Sequence, residues 1–395
     1  MTNLTLENAT IGYCTNVHAG TDLASIRANL DQYAVSARNL CGLDELGVGL
    51  WLPAQAASEL AKDTGPMAKF LADRRLRPFT INGFPYDNFH EPVVKHRVYV
   101  PTWAQAERLD YTCQLADILA ALLSEQSPDM VGSISTLPLG WPSELNSPEL
   151  LLQAGKNLRS LADHLEQIES RTGRRIVVAI EPEPGCQLDT TAGVIDWFSE
   201  QLPQTKHRRY LTVCHDICHS AVMMEPQREV LSRLADAGIT IGKVQVSCAI
   251  LADWQSMARG RRIEAISQLR EFAEDRYLHQ TGRLLGSGEF ALAEDLPDLL
   301  ADFSENELPM GDDRRWVVHF HVPIFLERLG HLATSQDDVL ACLQYLGSPN
   351  CNADFTGHLE VETYAWSVLP ESMRRRGLAD DIACEIDWLR KALVQ

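Results

Sequence analysis

Residues 176–184 read IVVAIEPEP, a run of five apolar residues that ends in two glutamates separated by a proline. Short β-branched runs of this kind are typical of strands that are buried on both faces, as in a parallel sheet. Glu181 follows the last apolar residue directly, and Glu183 comes two residues later. The run therefore predicts a core strand whose carboxyl end carries acidic side chains.

Four other apolar runs end in the same way, in residues that bind metals or transfer protons. They are VCHD at 213–216, VQVS at 244–247, VHFH at 318–321 and LEVE at 359–362. In an eight-stranded α/β barrel, the carboxyl ends of all the parallel strands meet at one rim, so such residues converge although they are far apart in the sequence. We therefore predict one polar site at that rim.

Strand-like runs alternate with helical segments along the chain, which indicates repeated βαβ units. The predicted fold class is α/β, a single (β/α)8 TIM barrel over residues 1–395. The predicted seventh strand ends at Ser247 and the eighth begins at Leu359, which is far more than a simple connection needs. We expect an insertion over about 250–355 that covers the active face, with an irregular glycine-rich piece around 286–288 and an acidic helix near 292–304.

The composition favours a small-molecule partner. A net charge of −19 argues against nucleic acid as a partner, because phosphate backbones need a basic surface. No apolar run is long enough to span a bilayer and no secretory signal is visible, so we expect a cytoplasmic protein without direct membrane insertion. The ten cysteines are scattered and predict no disulfide framework. Cys214 and Cys218 could form a zinc thiolate pair, but no second cysteine pair accompanies them.

Several motifs resemble a known superfamily. Glu181, the Asp216-x-x-His219 pair, Gln245 and Glu362 follow the order of the xylose isomerase-like barrels, which include sugar epimerases and endonuclease IV. GYCTNVHAG at 12–20, HFHVP at 319–323 and HLEVETYAW at 358–366 more narrowly resemble the EboE family of metabolite traffic proteins. That resemblance runs nearly end to end and implies a barrel that handles a metabolite precursor, with pathway partners linked to the membrane.

The residue types predict a divalent metal site. Glu181, Asp216, Gln245 and Glu362 offer oxygen ligands, which favour Mn²⁺ or Mg²⁺. The related epimerases usually have a histidine at the position of Gln245, so the ligand set here is richer in oxygen. His219 or His321 could restore a nitrogen ligand, which keeps Zn²⁺ or Fe²⁺ as alternatives.

A second metal is also considered, because His319 and His321 occupy the place where endonuclease IV carries an Asp-x-His pair of ligands. The alternative to a metal or catalytic site is a purely structural role for these residues. A buried glutamate can accept backbone hydrogen bonds, and a histidine in an apolar run can be a core residue.

The resemblance to the isomerases implies that Glu181 and Glu362 face each other and move a proton at the carbon beside a carbonyl. Our first functional prediction is a metal-dependent isomerase or epimerase of a sugar, sugar phosphate or cyclitol-like compound. The alternatives are a non-catalytic metabolite-binding protein and, less favoured, a metal-assisted phosphoester hydrolase. No glycine-rich fingerprint supports a dinucleotide cofactor.

Substrate-binding residues are predicted at strand ends and in the long loop after the third strand, because barrel loops carry specificity. The candidates are Asn16, His18, His90, Lys95, Glu183 and Glu360. Of these, Asn16 ends the first strand and is the strongest candidate, whereas Glu360 lies one step deeper than Glu362 and could orient a ligand. His215 should face away from Asp216 and pack behind the site.

Overall fold

The computed structural model describes residues 6, 9–124, 126–127, 130–301, 312–374 and 376–394. The strands are β1 (Thr10–Cys14), β2 (Leu46–Trp51), β3 (Leu76–Asn82), β4 (Gly132–Thr136), β5 (Ile176–Ile180), β6 (Leu211–Asp216), β7 (Ile241–Val246), β8 (Cys248–Asp253), β9 (Thr281–Leu284), β10 (Phe290–Ala293), β11 (Arg315–Val322), β12 (Arg328–Leu329), β13 (Leu332–Thr334) and β14 (His358–Val361). The α-helices are α1 (Leu23–Asn29), α2 (Val35–Leu40), α3 (Ala54–Leu60), α4 (Gly65–Asp73), α5 (Ala106–Leu122), α6 (Pro148–Thr172), α7 (Thr191–Gln201), α8 (Thr205–Arg208), α9 (Ile217–Val222), α10 (Gln227–Asp236), α11 (Arg259–Arg270), α12 (Leu296–Ala301), α13 (Gln336–Leu346) and α14 (Leu378–Ala392).

Eight strands close into a parallel barrel in the order β1, β14, β7, β6, β5, β4, β3, β2. Helices follow the strands and pack around the barrel, so the predicted (β/α)8 fold is confirmed. Strand residues that face the helices, such as Val48, Ile134 and Val178, are fully buried. The helix signals agree with this arrangement, since Asp22 caps α1 and Ser147 caps α6 through their side chains.

The barrel interior is unusually polar. Lys243, Glu360 and Ser135 are fully buried there, and the Lys243 ammonium lies 2.5 Å from Glu360 Oε2. Nearer the amino-terminal end, His358 Nδ1 lies 2.8 Å from Ser133 Oγ. Polar side chains therefore fill the centre of the barrel below the carboxyl rim.

A second sheet occupies the chain between β7 and α13. Its strand order is β10, β9, β11, β8, β13, β12, and its paired strands are antiparallel. The glycine-rich piece at 286–288 lies in the β9–β10 hairpin. The predicted acidic helix near 292–304 is wrong in its first part, because residues 290–293 form an edge strand and the helix covers only Leu296–Ala301. The end of that prediction lies outside the described residues.

The outer sheet is joined closely to the barrel. A single residue, Ser247, separates β7 from β8, and β11 carries its two histidines toward the barrel rim. After the sheet, α13 packs against α10 as a member of the outer ring of helices. None of the helices among the described residues combines the length and the apolar character needed to cross a membrane.

Candidate functional site

Three carboxylates from different strands converge at the carboxyl rim. Glu181 follows β5, Asp216 ends β6 and Glu362 follows β14, and all three side chains are buried. Each offers an oxygen that lies within 4.8 Å of the oxygens of the other two. The sequence positions that were predicted to meet therefore do meet, and they concentrate negative charge in a space from which water is largely excluded.

Two asparagines fix the carboxylate of Glu362. Asn16 Nδ2 and Asn82 Nδ2 each donate to Glu362 Oε1 over 2.8 Å. Burial, together with the nearby Asp216 and Glu360 carboxylates, raises the pKa of Glu362 to about 8 despite these donors. Burial and the neighbouring carboxylates also raise the pKa of Glu181 well above its usual value. Glu362 can therefore hold a proton near neutral pH, and protonation of Glu181 is favoured in the same direction.

Asp216 is held in a different way. It caps α9, with Oδ1 accepting from the backbone N–H of His219 and from Ser247 Oγ, each over 2.9 Å. Burial raises the pKa of Asp216, but His219, His321 and these two hydrogen bonds bring it below its usual value. Asp216 is thus the carboxylate of the three that ionises most readily, and its second oxygen, Oδ2, faces the site.

The outer sheet contributes His319 and His321 to the same space, where His219 of α9 also lies. His321 Nε2 lies 3.8 Å from Asp216 Oδ2, and His219 Nε2 lies 3.9 Å from the same oxygen. Burial lowers the pKa of His321 to about 4 and that of His319 well below its usual value. These rings are therefore neutral, which is the form that binds metals.

The protonated nitrogen of each histidine can be assigned from its partner. Nδ1 lies 2.8 Å from Pro182 O in His219, 2.7 Å from Gln280 Oε1 in His319 and 2.8 Å from Glu362 O in His321. A carbonyl oxygen can only accept, so each Nδ1 carries a hydrogen, and in the neutral rings of His319 and His321 Nε2 presents a lone pair. Metal-binding histidines are oriented in this way by a partner on the other nitrogen.

Several of these lone pairs lack any partner. Glu181 Oε2, Asp216 Oδ2 and His321 Nε2 are buried, and none of the residues that the structure describes gives them a hydrogen bond. Furthermore, His219 Nε2 and His319 Nε2 lie only 3.2 Å apart, close enough to share one proton or to bind one cation together. Buried acceptors of this kind are costly unless a cation or a proton satisfies them. The residues present therefore fit a bound divalent cation.

The possible ligand atoms form four overlapping groups. Two of these groups share no residue with each other, and a third, formed by Asp216, His219 and His321, links them. The first is Glu181, Asp216 and Glu362, with His321 beside Asp216. In the second, Glu183, His219 and His319 offer atoms that lie within 4.8 Å of one another. Glu183 Oε1 accepts from Tyr99 Oη over 2.7 Å and from Gln280 Nε2 over 3.2 Å, so this carboxylate is also held in place.

Gln245 lies in register with Asp216 on β6 and with Glu360 on β14, and its side chain is fully buried. Among the described residues, none gives its amide oxygen or amide nitrogen a hydrogen bond. Gln245 does not line the pocket, and it stays a predicted oxygen ligand.

The remaining predicted residues have varied surroundings. Asn16, Glu183 and Lys95 line the pocket above the carboxylates. His90 supports it from behind, because its Nε2 lies 2.8 Å from Asn16 O. His18 does not line the pocket and packs instead against Tyr33, with ring centroids 4.9 Å apart.

Two further predictions concern residues below or behind the site. Glu360 also does not line the pocket, because it lies deeper in the barrel with Lys243. His215 packs behind the site against Gln227, with His215 Nε2 lying 2.8 Å from Gln227 Oε1.

Sequence reasoning missed several residues that shape the pocket. The pocket lining combines these polar groups with aromatic side chains. The unpredicted lining residues include Asn82, Phe89, Tyr99, Tyr277 and Tyr364. Asn82 could have been found, because it ends β3 just as Asn16 closely follows β1. The aromatic residues come from loops and from the insertion, where no periodic pattern marks them.

Comparison with known proteins supports the fold and no closer assignment. No protein-family model matches the sequence, and no curated protein is significantly similar to it. Among solved structures, a xylose isomerase-like TIM barrel protein from Mycobacterium smegmatis in complex with magnesium matches with a TM-score of 0.51 at 12% identity, over 98% of each chain.

Two further solved structures match at lower TM-scores. An IolI protein with a bound zinc atom matches at 0.47 and 13% identity, over 97% of this chain and 98% of the other. A xylose isomerase domain protein from Alicyclobacillus acidocaldarius subsp. acidocaldarius matches at 0.46 and 13%, over 98% and 99%. The chain has the fold of the xylose isomerase-like TIM barrels.

Proposed function

We propose that this protein is a metal-dependent isomerase or epimerase that moves a proton at the carbon beside a carbonyl group of a small hydroxylated compound. The observation that carries the proposal is the convergence of Glu181, Asp216 and Glu362 within 4.8 Å at the carboxyl rim. Structural carboxylates are usually satisfied by donors, whereas Glu181 Oε2 and Asp216 Oδ2 have no partner. Perturbed, unpartnered acids in a pocket are typical of catalytic sites.

Glu181, Asp216, Glu362 and His321 would hold the cation, with Gln245 as a further oxygen ligand. When bound, the cation would polarise the substrate carbonyl and stabilise negative charge on its oxygen. Oxygen-rich sets favour Mn²⁺ or Mg²⁺, and the Mycobacterium smegmatis neighbour was crystallised with magnesium. A set that includes His321 also suits Zn²⁺ or Fe²⁺, which stay as alternatives.

The proton transfer is assigned to the two glutamates. Asn16 and Asn82 hold Glu362 Oε1, so Oε2 is left to accept or return the substrate proton. Glu181, which follows β5, also has a free carboxylate oxygen, Oε2, that can accept or return a proton. Since the pKa of each glutamate is raised by burial and like charge, one can hold a proton while the other is ionised.

A metabolite-handling role is the alternative. The EboE-like motifs support a cytoplasmic protein that binds a precursor for delivery to membrane-linked partners, with the metal holding the ligand and no reaction following. The two proposals share the site and differ only in whether a proton moves.

A second candidate function is metal-assisted phosphoester hydrolysis. It is favoured by the facing nitrogens of His219 and His319, which together with Glu183 could hold a second cation. The acidic character of the pocket disfavours it, because three glutamates line the space that a phosphate would enter.

The deciding experiment is deuterium uptake from D₂O, followed by NMR and mass spectrometry, with Mn²⁺-loaded protein and a panel of ketoses, aldoses, inososes and their phosphates. We expect uptake at the carbon beside the carbonyl of at least one compound, lost with EDTA and in Glu181→Gln and Glu362→Gln. Glu385→Gln is the matched control, since Glu385 is a buried carboxylate outside the pocket. Tight binding without uptake would replace the isomerase by the carrier, and phosphate release would indicate the hydrolase.

A further inference from the structure

Three aromatic residues of the pocket lining form an aromatic wall. Phe89, Tyr277 and Tyr364 pack against one another, with ring centroids 4.9, 5.2 and 5.0 Å apart. Aliphatic and further aromatic side chains complete the apolar part of the lining, namely Phe84, Pro85, Val94, Val98 and Leu278. A ligand whose polar end reaches the carboxylates therefore passes between apolar surfaces.

The tyrosine hydroxyls in this lining already have partners. Tyr277 Oη donates to Phe89 O over 3.1 Å, and Tyr99 Oη donates to Glu183 Oε1 over 2.7 Å. Tyr364 Oη lies 3.4 Å from His319 Nε2 and points toward the polar floor. The rings thus present carbon rather than oxygen to the space between them. Such a surface suits a hydrocarbon or an aromatic ring better than a row of hydroxyl groups.

The side chains of the pocket offer little to a phosphate group. Lys95 is the one cationic side chain among the lining residues that the structure describes, and its Nζ lies 2.7 Å from Asp295 Oδ2. No arginine is among those lining residues, whereas Glu181, Glu183 and Glu362 all are. Phosphate recognition depends on arginine, free lysine or clustered backbone N–H groups. The already paired lysine does not supply this.

We infer that the ligand is an uncharged hydroxylated compound that carries an aromatic or hydrocarbon substituent, and that it is not a phosphate ester. The inference rests on the proposed function, because the carboxylate group is taken as the place where the polar end binds. Among the substrate classes that the sequence left open, the inference excludes sugar phosphates. It assigns the aromatic wall as the surface that binds the substituent. The outer sheet and the loop over 84–99 then determine specificity.

The test compares matched binding probes by isothermal titration calorimetry on Mn²⁺-loaded protein. The probes are the methyl and benzyl glycosides of glucose, galactose, mannose and xylose, and the corresponding sugar phosphates. Glycosides lack a free carbonyl and report binding alone. We expect at least one benzyl glycoside to bind about tenfold or more tightly than its methyl partner, because a buried phenyl ring removes a large apolar area from water. Every phosphate should bind more weakly than its benzyl counterpart.

Two variants test whether the apolar lining causes the preference for benzyl glycosides. Val98→Asn and Leu278→Asn each place a polar group in the apolar lining and should reduce the benzyl preference severalfold. Val93→Asn is the control, because Val93 is exposed and lies outside this pocket. Equal binding of every benzyl and methyl pair, no measurable binding of any benzyl glycoside, or tighter binding of a phosphate would overturn the inference, and each result comes from the unmodified protein.

Failure of this inference is distinguishable from failure of the proposed function. A retained benzyl preference without deuterium uptake on any carbonyl compound removes the proposed proton transfer and leaves the ligand class intact. Uptake on a sugar phosphate, with no benzyl preference, does the reverse.

Discussion

The Lys243 ammonium lies 2.5 Å from Glu360 Oε2 at the centre of the barrel, and both side chains are fully buried. Glu360 precedes Glu362 by two residues on the same inward-facing side of β14, so the ion pair lies directly below the carboxylate group. Burial alone would lower the pKa of Lys243, but the adjacent Glu360 carboxylate raises it above its usual value. The lysine therefore stays charged beneath the site.

We predict that Lys243→Met destabilises the protein by about 3–5 kcal/mol, because it leaves Glu360 buried without its counter-charge. The double variant Lys243→Met/Glu360→Leu should recover most of this loss, since it removes both charges. Urea unfolding followed by circular dichroism measures the free energy of unfolding of each. A single variant as stable as the unmodified protein would contradict the assigned pairing.

Gly49 makes room for Glu360. A Cβ at this position would lie 1.3 Å from Glu360 Oε1 and 2.5 Å from its Cδ. Because Glu360 is held by Lys243 and enclosed on all sides, we predict that Gly49→Ala destabilises the protein by about 1–3 kcal/mol. Gly260→Ala is the control, since that glycine in α11 has open space around it and alanine favours helices. In urea unfolding, the free energy of unfolding should fall in Gly49→Ala and rise in Gly260→Ala.

The outer sheet should contribute directly to metal affinity. His321 Nε2 and Asp216 Oδ2 are unpartnered and 3.8 Å apart, so His321→Ala removes a ligand without removing a carboxylate. We expect Mn²⁺ affinity, measured by calorimetry or by electron paramagnetic resonance, to fall by at least about tenfold. His207→Gln, a change of a buried histidine in α8, should leave it unchanged. Equal affinities in all three proteins would exclude His321 as a ligand.

Metal binding should also stabilise the fold. A cation that binds the folded chain and not the unfolded chain, at about 100 times its Kd, adds about 2.7 kcal/mol to the free energy of unfolding. We therefore expect the melting temperature to rise when Mn²⁺ is added to chelator-treated protein. Addition of EDTA should bring it back to the value without metal. The rise should be much smaller in an Asp216→Asn variant, and an unaltered rise there would place the cation elsewhere.

Glu385 in α14 gives a pH dependence that is independent of the metal. Its Oε1 accepts from Thr363 Oγ1 over 2.6 Å and from Ile324 N over 3.2 Å, and burial raises its pKa to about 7. The folded state then binds this proton more tightly than the unfolded state, so the contribution of Glu385 to stability decreases as the pH rises from about 4.5 to 7.

Glu385→Gln stays neutral and should not show this change. The free energy of unfolding of each protein is measured in urea at pH 5 and pH 8. Relative to Glu385→Gln, we expect the unmodified protein to be less stable at pH 8 than at pH 5 by up to about 3 kcal/mol. A difference that is constant with pH would show that Glu385 titrates normally.

The barrel and its carboxylates could be predicted because each strand is local and ends in its own polar residue. Glu181, Asp216 and Glu362 each follow an apolar run, and the fold alone brings such positions together. The Asp216-x-x-His219 spacing also corresponds to a helix N-cap, which the structure contains.

The outer sheet could not be predicted in the same way. The strands β9, β10, β12 and β13 are two to four residues long and partly exposed, so they carry little hydrophobic pattern. The partner of Glu360 was equally hidden, because the pairing with Lys243 joins neighbouring strands that lie far apart in the chain. The same applies to Gln280, whose amide contacts both Glu183 and His319.

The corner at Ser247 has a mechanical consequence. The chain turns from the barrel strand β7 into the outer strand β8 through this one residue, whose hydroxyl donates to Asp216 and accepts from the N–H of Cys218. A displacement of the outer sheet would therefore move Ser247, which is hydrogen-bonded to Asp216, and move His321 at the same time. Attachment of the sheet and occupancy of the cation site should behave as one linked equilibrium, in which each strengthens the other.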